Sequence, residues 1–137
     1  MDVVFLDANV LFSAAYRADA GLRVLWEQEG VRLVTSGYAL EEAHRNLAEG
    51  EPRSRLERLV GSMEIIPESD PAAGHGQALP NDIELPAKDL PILQAAIAAR
   101  ASHLLTGDIT HFGRHLGTVV RGVRILTPSE YLRRLSG

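Results

Sequence analysis

The sequence has no cysteine, and all its apolar runs are short. The absence of cysteine excludes disulfides and thiolate chemistry, and it gives no sign of secretion. No apolar stretch approaches the roughly 18 residues that a membrane span needs. The first apolar run has no basic region before it, so it does not resemble a signal peptide. We therefore expect a cytoplasmic protein with no membrane association.

The sequence also has no excess of basic residues and few aromatic ones. The formal net charge is −4, and aromatic residues make up 5% of the chain. An acidic balance argues weakly against a nucleic-acid partner. Aromatic residues are not interleaved with basic ones, as they are in proteins that stack single-stranded bases. The functional prediction therefore depends on where the acidic residues lie and not on how many there are.

Short runs rich in Val, Ile and Leu alternate with helical patterns along the 137 residues. Short continuous apolar runs are typical of strands buried on both faces of a parallel sheet. The length suits one domain, residues 1–137, with one core. We predict a single-domain three-layer α/β/α sandwich with a mainly parallel central sheet. Its strands are predicted at residues 3–6, 31–35, 63–66, 103–106 and 124–126.

Residues 67–87, "PESDPAAGHGQALPNDIELPA", contain four prolines and two glycines. This composition predicts a loop, or a loop with a short helical turn. A loop of this length is unusual inside a compact domain. We therefore consider it a candidate lid or partner-binding surface within the single domain.

Five acids are predicted to lie near strand ends or helix starts. Asp7 follows the first strand, Asp108 follows the fourth, and Asp89 begins the fourth helix. Glu41 and Glu42 lie early in the second helix. Ligands of open parallel sheets bind at the carboxyl ends of the strands, where these acids would meet. Each acid taken alone also fits an ordinary role as a helix cap, a turn residue or solvated surface.

Considered together, these acids indicate a cation site. Converging carboxylates repel one another and raise each other's pKa unless a cation neutralises them. Oxygen ligands without cysteine favour hard cations such as Mg²⁺ or Mn²⁺. Phosphodiester hydrolysis is a common use of such a site, because the metal activates water and stabilises the leaving oxygen. The pattern alone leaves the structural alternatives open, including Asn9 as a competing cap for the first helix.

Several segments carry a resemblance to a known family. They are "FLDANVLFSA", "TSGYALEEAHRNL", "KDLPILQAAIAARASHLLTGDITHFG" and "GVRILTPSEYL", in that order along most of the chain. The sequence resembles the PIN domain, a metal-dependent ribonuclease fold that includes the toxin subunits of many bacterial toxin–antitoxin pairs. The resemblance implies Mg²⁺ or Mn²⁺ as cofactor, RNA as substrate, an antitoxin protein as partner, and a homodimer.

The resemblance also implies which residues act. It gives metal-binding and catalytic roles to Asp7, Glu42, Asp89 and Asp108. Glu41 is the alternative to Glu42, because both flank the apolar stripe of their helix about equally. The resemblance gives supporting roles to Asn9 and Thr106. With the four ligands set aside, the rest of the chain is close to neutral, so arginines elsewhere, including Arg53 and Arg55, could line an RNA path.

One segment departs from the family pattern. Many members have a further acid shortly after the aspartate of "TGD", where this chain has Thr110 and His111. His111 could contact a phosphate or a metal-bound water, or it could be purely structural. Lys88, beside Asp89, could similarly steady a phosphate, although we favour a solvated lysine.

Two other functions compete with the nuclease. The missing acid and the long loop favour an inactive PIN-like module that binds an antitoxin or a second copy of itself. A phosphatase-type hydrolase with Asp7 as nucleophile is less favoured, because such enzymes usually have a second acid where this chain has Asn9.

Overall fold

The computed structural model describes residues 1–67 and 83–136. The predicted loop at residues 67–87 therefore lies mostly outside the described residues. The strands are β1 (Asp2–Leu6), β2 (Val31–Ser36), β3 (Glu64–Ile66), β4 (His103–Leu105), β5 (Val119–Val120) and β6 (Val123–Leu126). The helices are α1 (Ala8–Tyr16), α2 (Gly37–Asn46), α3 (Glu51–Val60), α4 (Leu90–Ala98) and α5 (Pro128–Ser136). Within these described ranges, two 3-10 helices occupy Gly21–Glu27 and Gly113–His115.

The six strands form one sheet in the order β3-β2-β1-β4-β6-β5. Every neighbouring pair is parallel except β5 and β6. The chain adds strands on one side of β1 and then crosses to place β4 on the other side. This reversal creates a switch point between β1 and β4, where the loops at their carboxyl ends diverge and leave a crevice. The predicted α/β class with a mainly parallel sheet is confirmed.

The antiparallel edge strand β5 was not predicted. It joins β6 through Arg121 and Gly122, which both have positive φ, at 51° and 86°. Positive φ at both central residues is typical of the tight turns that close two-residue hairpins. The sequence "VVRGVR" carries this signal, but its strand is only two residues long.

The central strands are apolar because they are covered on both faces. Phe5 and Leu6 of β1, Leu104 of β4 and Ile125 of β6 are fully buried. On α1, Leu11 is also fully buried in the same core. No helix in the described part of the chain is long and apolar enough to cross a membrane.

Side-chain caps fix the starts of two helices. The Ser36 hydroxyl accepts the Ala39 N–H at 3.1 Å at the start of α2. At the start of α5, the Thr127 hydroxyl accepts the Glu130 N–H at 3.2 Å, and the Glu130 carboxylate accepts the Thr127 N–H at 3.1 Å. This reciprocal pair is a capping box.

Candidate metal centre

Asp7 stands directly after β1, at the switch point of the sheet. Its N–H donates to the Leu105 carbonyl at 3.0 Å, which places it beside the end of β4. Its side chain is only 4% exposed, and one carboxylate oxygen accepts the Ala8 N–H at 2.7 Å. Asp7 is therefore the N-cap of α1. The alternative that Asn9 caps this helix is wrong, because Asn9 lies inside α1.

Asn9 instead connects α1 to the loop after β4. Its side-chain oxygen accepts the Gly107 N–H at 2.7 Å, and its amide group donates to the second oxygen of Asp7 at 3.3 Å. The Thr106 hydroxyl donates to the same Asp7 oxygen at 2.9 Å and accepts the Asp108 N–H at 3.1 Å. These bonds fix the Asp7 carboxylate relative to the backbone that carries Asp108.

The pKa of Asp7 is raised from 3.8 to about 6. Burial is the largest cause, because it removes water from the charged form. The hydrogen bonds from Thr106 and Ala8 lower the pKa, whereas the negative charges of Asp89 and Glu42 raise it further. A buried carboxylate near two other acids in a cleft is typical of a functional position.

Asp89 is at the N-cap position of α4, but its side chain makes no capping hydrogen bond. The residue is 9% exposed, and its Oδ2 atom is buried with no hydrogen-bond partner among the described residues. Tyr38 of α2 holds the preceding backbone by donating its hydroxyl to the Lys88 carbonyl at 2.8 Å. The capping role that the sequence allowed for Asp89 is therefore not used, and its carboxylate is available to a ligand.

A cavity of about 350 Å³ brings the four predicted acids together. Its lining contains Glu42 and does not contain Glu41, which is exposed. Lys88 is exposed, as the sequence favoured, and it also lines the cavity. The lining residues among the described part of the chain are Asp7, Ala8, Asn9, Phe12, Glu42, Asn46, Lys88, Asp89 and Asp108. Sequence reasoning missed Phe12 and Asn46, which have no distinguishing motif.

His111 lies against two of these acids. Its backbone N–H donates to Asp108 Oδ1 at 3.0 Å, which turns the chain back after Asp108. Its Nδ1 atom lies 2.8 Å from Asp108 Oδ2 and 2.9 Å from Asp89 Oδ2. The structure thus places the residue whose role the sequence left open beside the acids rather than away from them.

The donor atoms fit a divalent cation. One ligand atom each from Asp89, Asp108 and His111 lie within 4.8 Å of one another. Asp89 Oδ2 and His111 Nδ1 are buried and lack hydrogen-bond partners in the described part of the chain, as expected of atoms that await a ligand. Asp89 and Glu42 both lie close enough to Asp7 for their negative charges to raise its pKa.

Two arginines proposed for an RNA path have structural partners. Arg53 donates to the carbonyls of His44 and Leu47, and Arg55 donates to the carbonyls of Ala15 and Tyr16. Arg55 thereby joins α3 to the end of α1. These two side chains connect helices, and the expectation that they face RNA is not supported by their contacts.

A mainly parallel sheet with a carboxylate-lined cavity at its switch point defines an α/β protein with a candidate divalent-cation site. The family model of the PIN domain matches residues 3–110. This chain therefore belongs to the PIN domain family, as its motifs indicate. No curated protein matches the chain.

The fold is also similar to a solved structure described as the crystal structure of VapBC2 from Rickettsia felis bound to a DNA fragment from their promoter. The TM-score is 0.69 at 19% sequence identity, over 91% of this chain and 98% of that chain. At this identity the similarity concerns the fold.

Proposed function

We propose that this chain is a divalent-cation-dependent endoribonuclease that hydrolyses phosphodiester bonds of RNA. The observation that carries the proposal is the convergence of Asp7, Glu42, Asp89 and Asp108 on one cavity. The PIN family membership of the chain supports it. The roles of these four acids as ligands and catalytic groups are part of the proposal.

Electrostatics favours a bound cation over an uncharged ligand. Asp7 is buried, and the neighbouring charges of Asp89 and Glu42 already raise its pKa. A divalent cation would remove this repulsion and favour the ionised carboxylates. When bound, Mg²⁺ or Mn²⁺ would supply an activated water and stabilise charge on the leaving oxygen.

The protein supplies position and substrate binding. The hydrogen bonds of Thr106 and Asn9 hold the Asp7 carboxylate in one orientation. Lys88 contributes a positive charge at the cavity, where it can attract a phosphodiester and orient it. Asp89 and Asp108 add two further carboxylates to the lining of the same cavity.

We further propose that the chain is the toxin subunit of a toxin–antitoxin pair. The resemblance to PIN toxins supports this role, and so does the fold similarity to a chain of the promoter-bound VapBC2 structure. The partners would be an antitoxin protein and a second copy of this chain in a homodimer. Light scattering after size-exclusion chromatography would test both. A chain that stays monomeric and does not bind the protein encoded by the adjacent open reading frame would argue against this role.

The nuclease proposal is tested by RNA cleavage with purified protein, first stripped of metal and then supplied with Mn²⁺ or Mg²⁺. Asp7→Asn and Asp108→Asn should each abolish cation-dependent cleavage, while circular dichroism shows that both variants fold. Undiminished cleavage by both variants would overturn the proposal. A folded wild-type protein that neither binds cation nor cleaves RNA would favour the inactive binding module.

Two adjacent glutamates provide a matched comparison for the helix acid. Glu42→Gln should lose cleavage, because this side chain lines the cavity, whereas Glu41→Gln should keep it, because Glu41 is exposed. Both substitutions remove one negative charge from the same turn of α2. Equal losses in the two variants would show that general charge, rather than a ligand at residue 42, is responsible.

A further inference from the structure

The contacts of His111 are not ordinary hydrogen bonds. Its Nδ1 atom is 2.8 Å from Asp108 Oδ2 and 2.9 Å from Asp89 Oδ2, but neither contact has hydrogen-bond geometry. An imidazole nitrogen has one N–H or one lone pair, directed outward in the ring plane. That direction meets neither carboxylate oxygen. The nitrogen therefore lies beside the two oxygens, as ligand atoms do when they bind the same metal ion.

Within the described part of the chain, His111 Nδ1 and Asp89 Oδ2 are both buried without a hydrogen-bond partner. Asp108 Oδ1 is already occupied by the His111 N–H at 3.0 Å, so Oδ2 is the oxygen that faces the histidine. Asp89 is nine-tenths buried, and its Oδ2 has no hydrogen-bond partner among the described residues. A buried carboxylate oxygen that accepts no hydrogen bond is costly.

The distances fit adjacent ligands of a six-coordinate ion. Ligands about 2.1 Å from an octahedral metal lie about 3.0 Å apart when they occupy adjacent positions. Ligands of a tetrahedral ion at a similar radius lie about 3.4 Å apart. The separations of 2.8 and 2.9 Å that His111 makes are closer to the octahedral value.

We propose that His111 Nδ1 is a direct metal ligand, with Asp89 and Asp108, and that it makes the site prefer a six-coordinate transition-metal ion to Mg²⁺. Imidazole binds transition metals well, whereas Mg²⁺ takes oxygen ligands almost exclusively. The acid that many PIN domains have near this position is absent here, so the nitrogen ligand would change the metal preference of the site. This inference rests on the proposed function, because it assigns the metal to the same cavity.

Calorimetric titration of metal-stripped protein with CoCl₂ and, separately, with MgCl₂ tests the proposal. His111→Asn should weaken Co²⁺ binding by at least about tenfold, the loss typical of altered metal coordination, and should change Mg²⁺ binding much less. His44→Asn is the matched control, because His44 lies on α2 and, within the described part of the chain, is not grouped with Asp89 and Asp108 as a possible ligand of the same cation. It should leave both affinities unchanged.

A second variant keeps the inference testable if His111→Asn does not fold. His111→Asp restores an oxygen donor and should move the preference toward Mg²⁺. The visible spectrum of the Co²⁺ form adds a readout of coordination: weak bands are expected for a six-coordinate ion, and intense bands would contradict the geometry. If the Co²⁺ to Mg²⁺ affinity ratio is the same in wild type, His111→Asn and His111→Asp, the inference is overturned.

The outcomes separate this inference from the proposed function. If the wild-type protein cleaves RNA with bound cation but its metal preference does not depend on residue 111, the nuclease proposal stands and this inference fails. A folded wild-type protein that binds neither ion overturns both.

Discussion

Replacing Asp7 with asparagine should stabilise the metal-free protein at neutral and alkaline pH, although it should abolish cleavage. The Asp7 carboxylate is 4% exposed, and burial together with neighbouring charges raises its pKa from 3.8 to about 6. Ionised Asp7 is therefore costly in the folded state. Asparagine has nearly the same shape, keeps an oxygen for the Ala8 N–H and carries no charge. Its amide nitrogen cannot accept the hydrogen bonds that Asn9 and Thr106 donate to Asp7, which offsets part of the gain.

The size of the effect follows from the pKa difference. A rise from 3.8 to about 6 corresponds to about 3 kcal/mol of unfolding free energy. Because the folded pKa is the higher one, the contribution is fully present below pH 3.8 and is lost as pH rises through about 6. The stability of the Asp7→Asn variant relative to wild type should therefore increase by about 2 kcal/mol between pH 4.5 and pH 8.

Urea unfolding at several pH values, in the presence of a chelator, measures this difference. Trp26 is the only tryptophan, and its ring N–H donates to the Leu59 carbonyl at 3.0 Å, so its fluorescence reports the unfolding. Other titrating groups are common to both proteins and cancel in the comparison. If wild type and variant show parallel pH dependence, the raised pKa and the argument for a repelled carboxylate are refuted.

Two further substitutions test separate parts of the structure. Thr106→Val removes the hydroxyl that joins Asp7 to the Asp108 N–H. Mn²⁺ affinity measured by calorimetry should therefore fall about 10- to 100-fold. An unchanged affinity would show that this hydroxyl is not needed for metal binding. Thr127→Ala removes half of the capping box with Glu130, so urea unfolding should show a loss of about 1 kcal/mol while RNA cleavage is unchanged; a loss of cleavage in the folded variant would contradict the separation of this cap from the site.

The sequence was sufficient to predict most of the fold. Buried strands of a parallel sheet read as continuous apolar runs, and Phe5 and Leu104 show why, since both are covered on every side. The cap at Ser36 and the capping box at Thr127 depend only on residues three apart. The edge strand β5 was not predicted because two residues give no periodic signal, although the turn at Gly122 has a recognisable sequence.

The site was harder to predict from the sequence than the fold. The position of each acid after a strand or near a helix start was visible in the sequence. Helical phase does not distinguish Glu42 from Glu41, and the structure was needed to show that Glu42 lines the cavity. Likewise, the sequence left open whether Asp89 caps α4, and only the structure shows that its side chain makes no capping bond. The contact between His111 and Asp89 depends on loop geometry, which no local pattern encodes.

The most direct test of the central claim is the anomalous difference map of a crystal of this protein soaked in MnCl₂. The account predicts a strong peak inside the cavity, in contact with the carboxylates of Asp89 and Asp108 and within reach of Asp7 or Glu42. A well-ordered crystal at saturating Mn²⁺ with no anomalous peak in that cavity would contradict it.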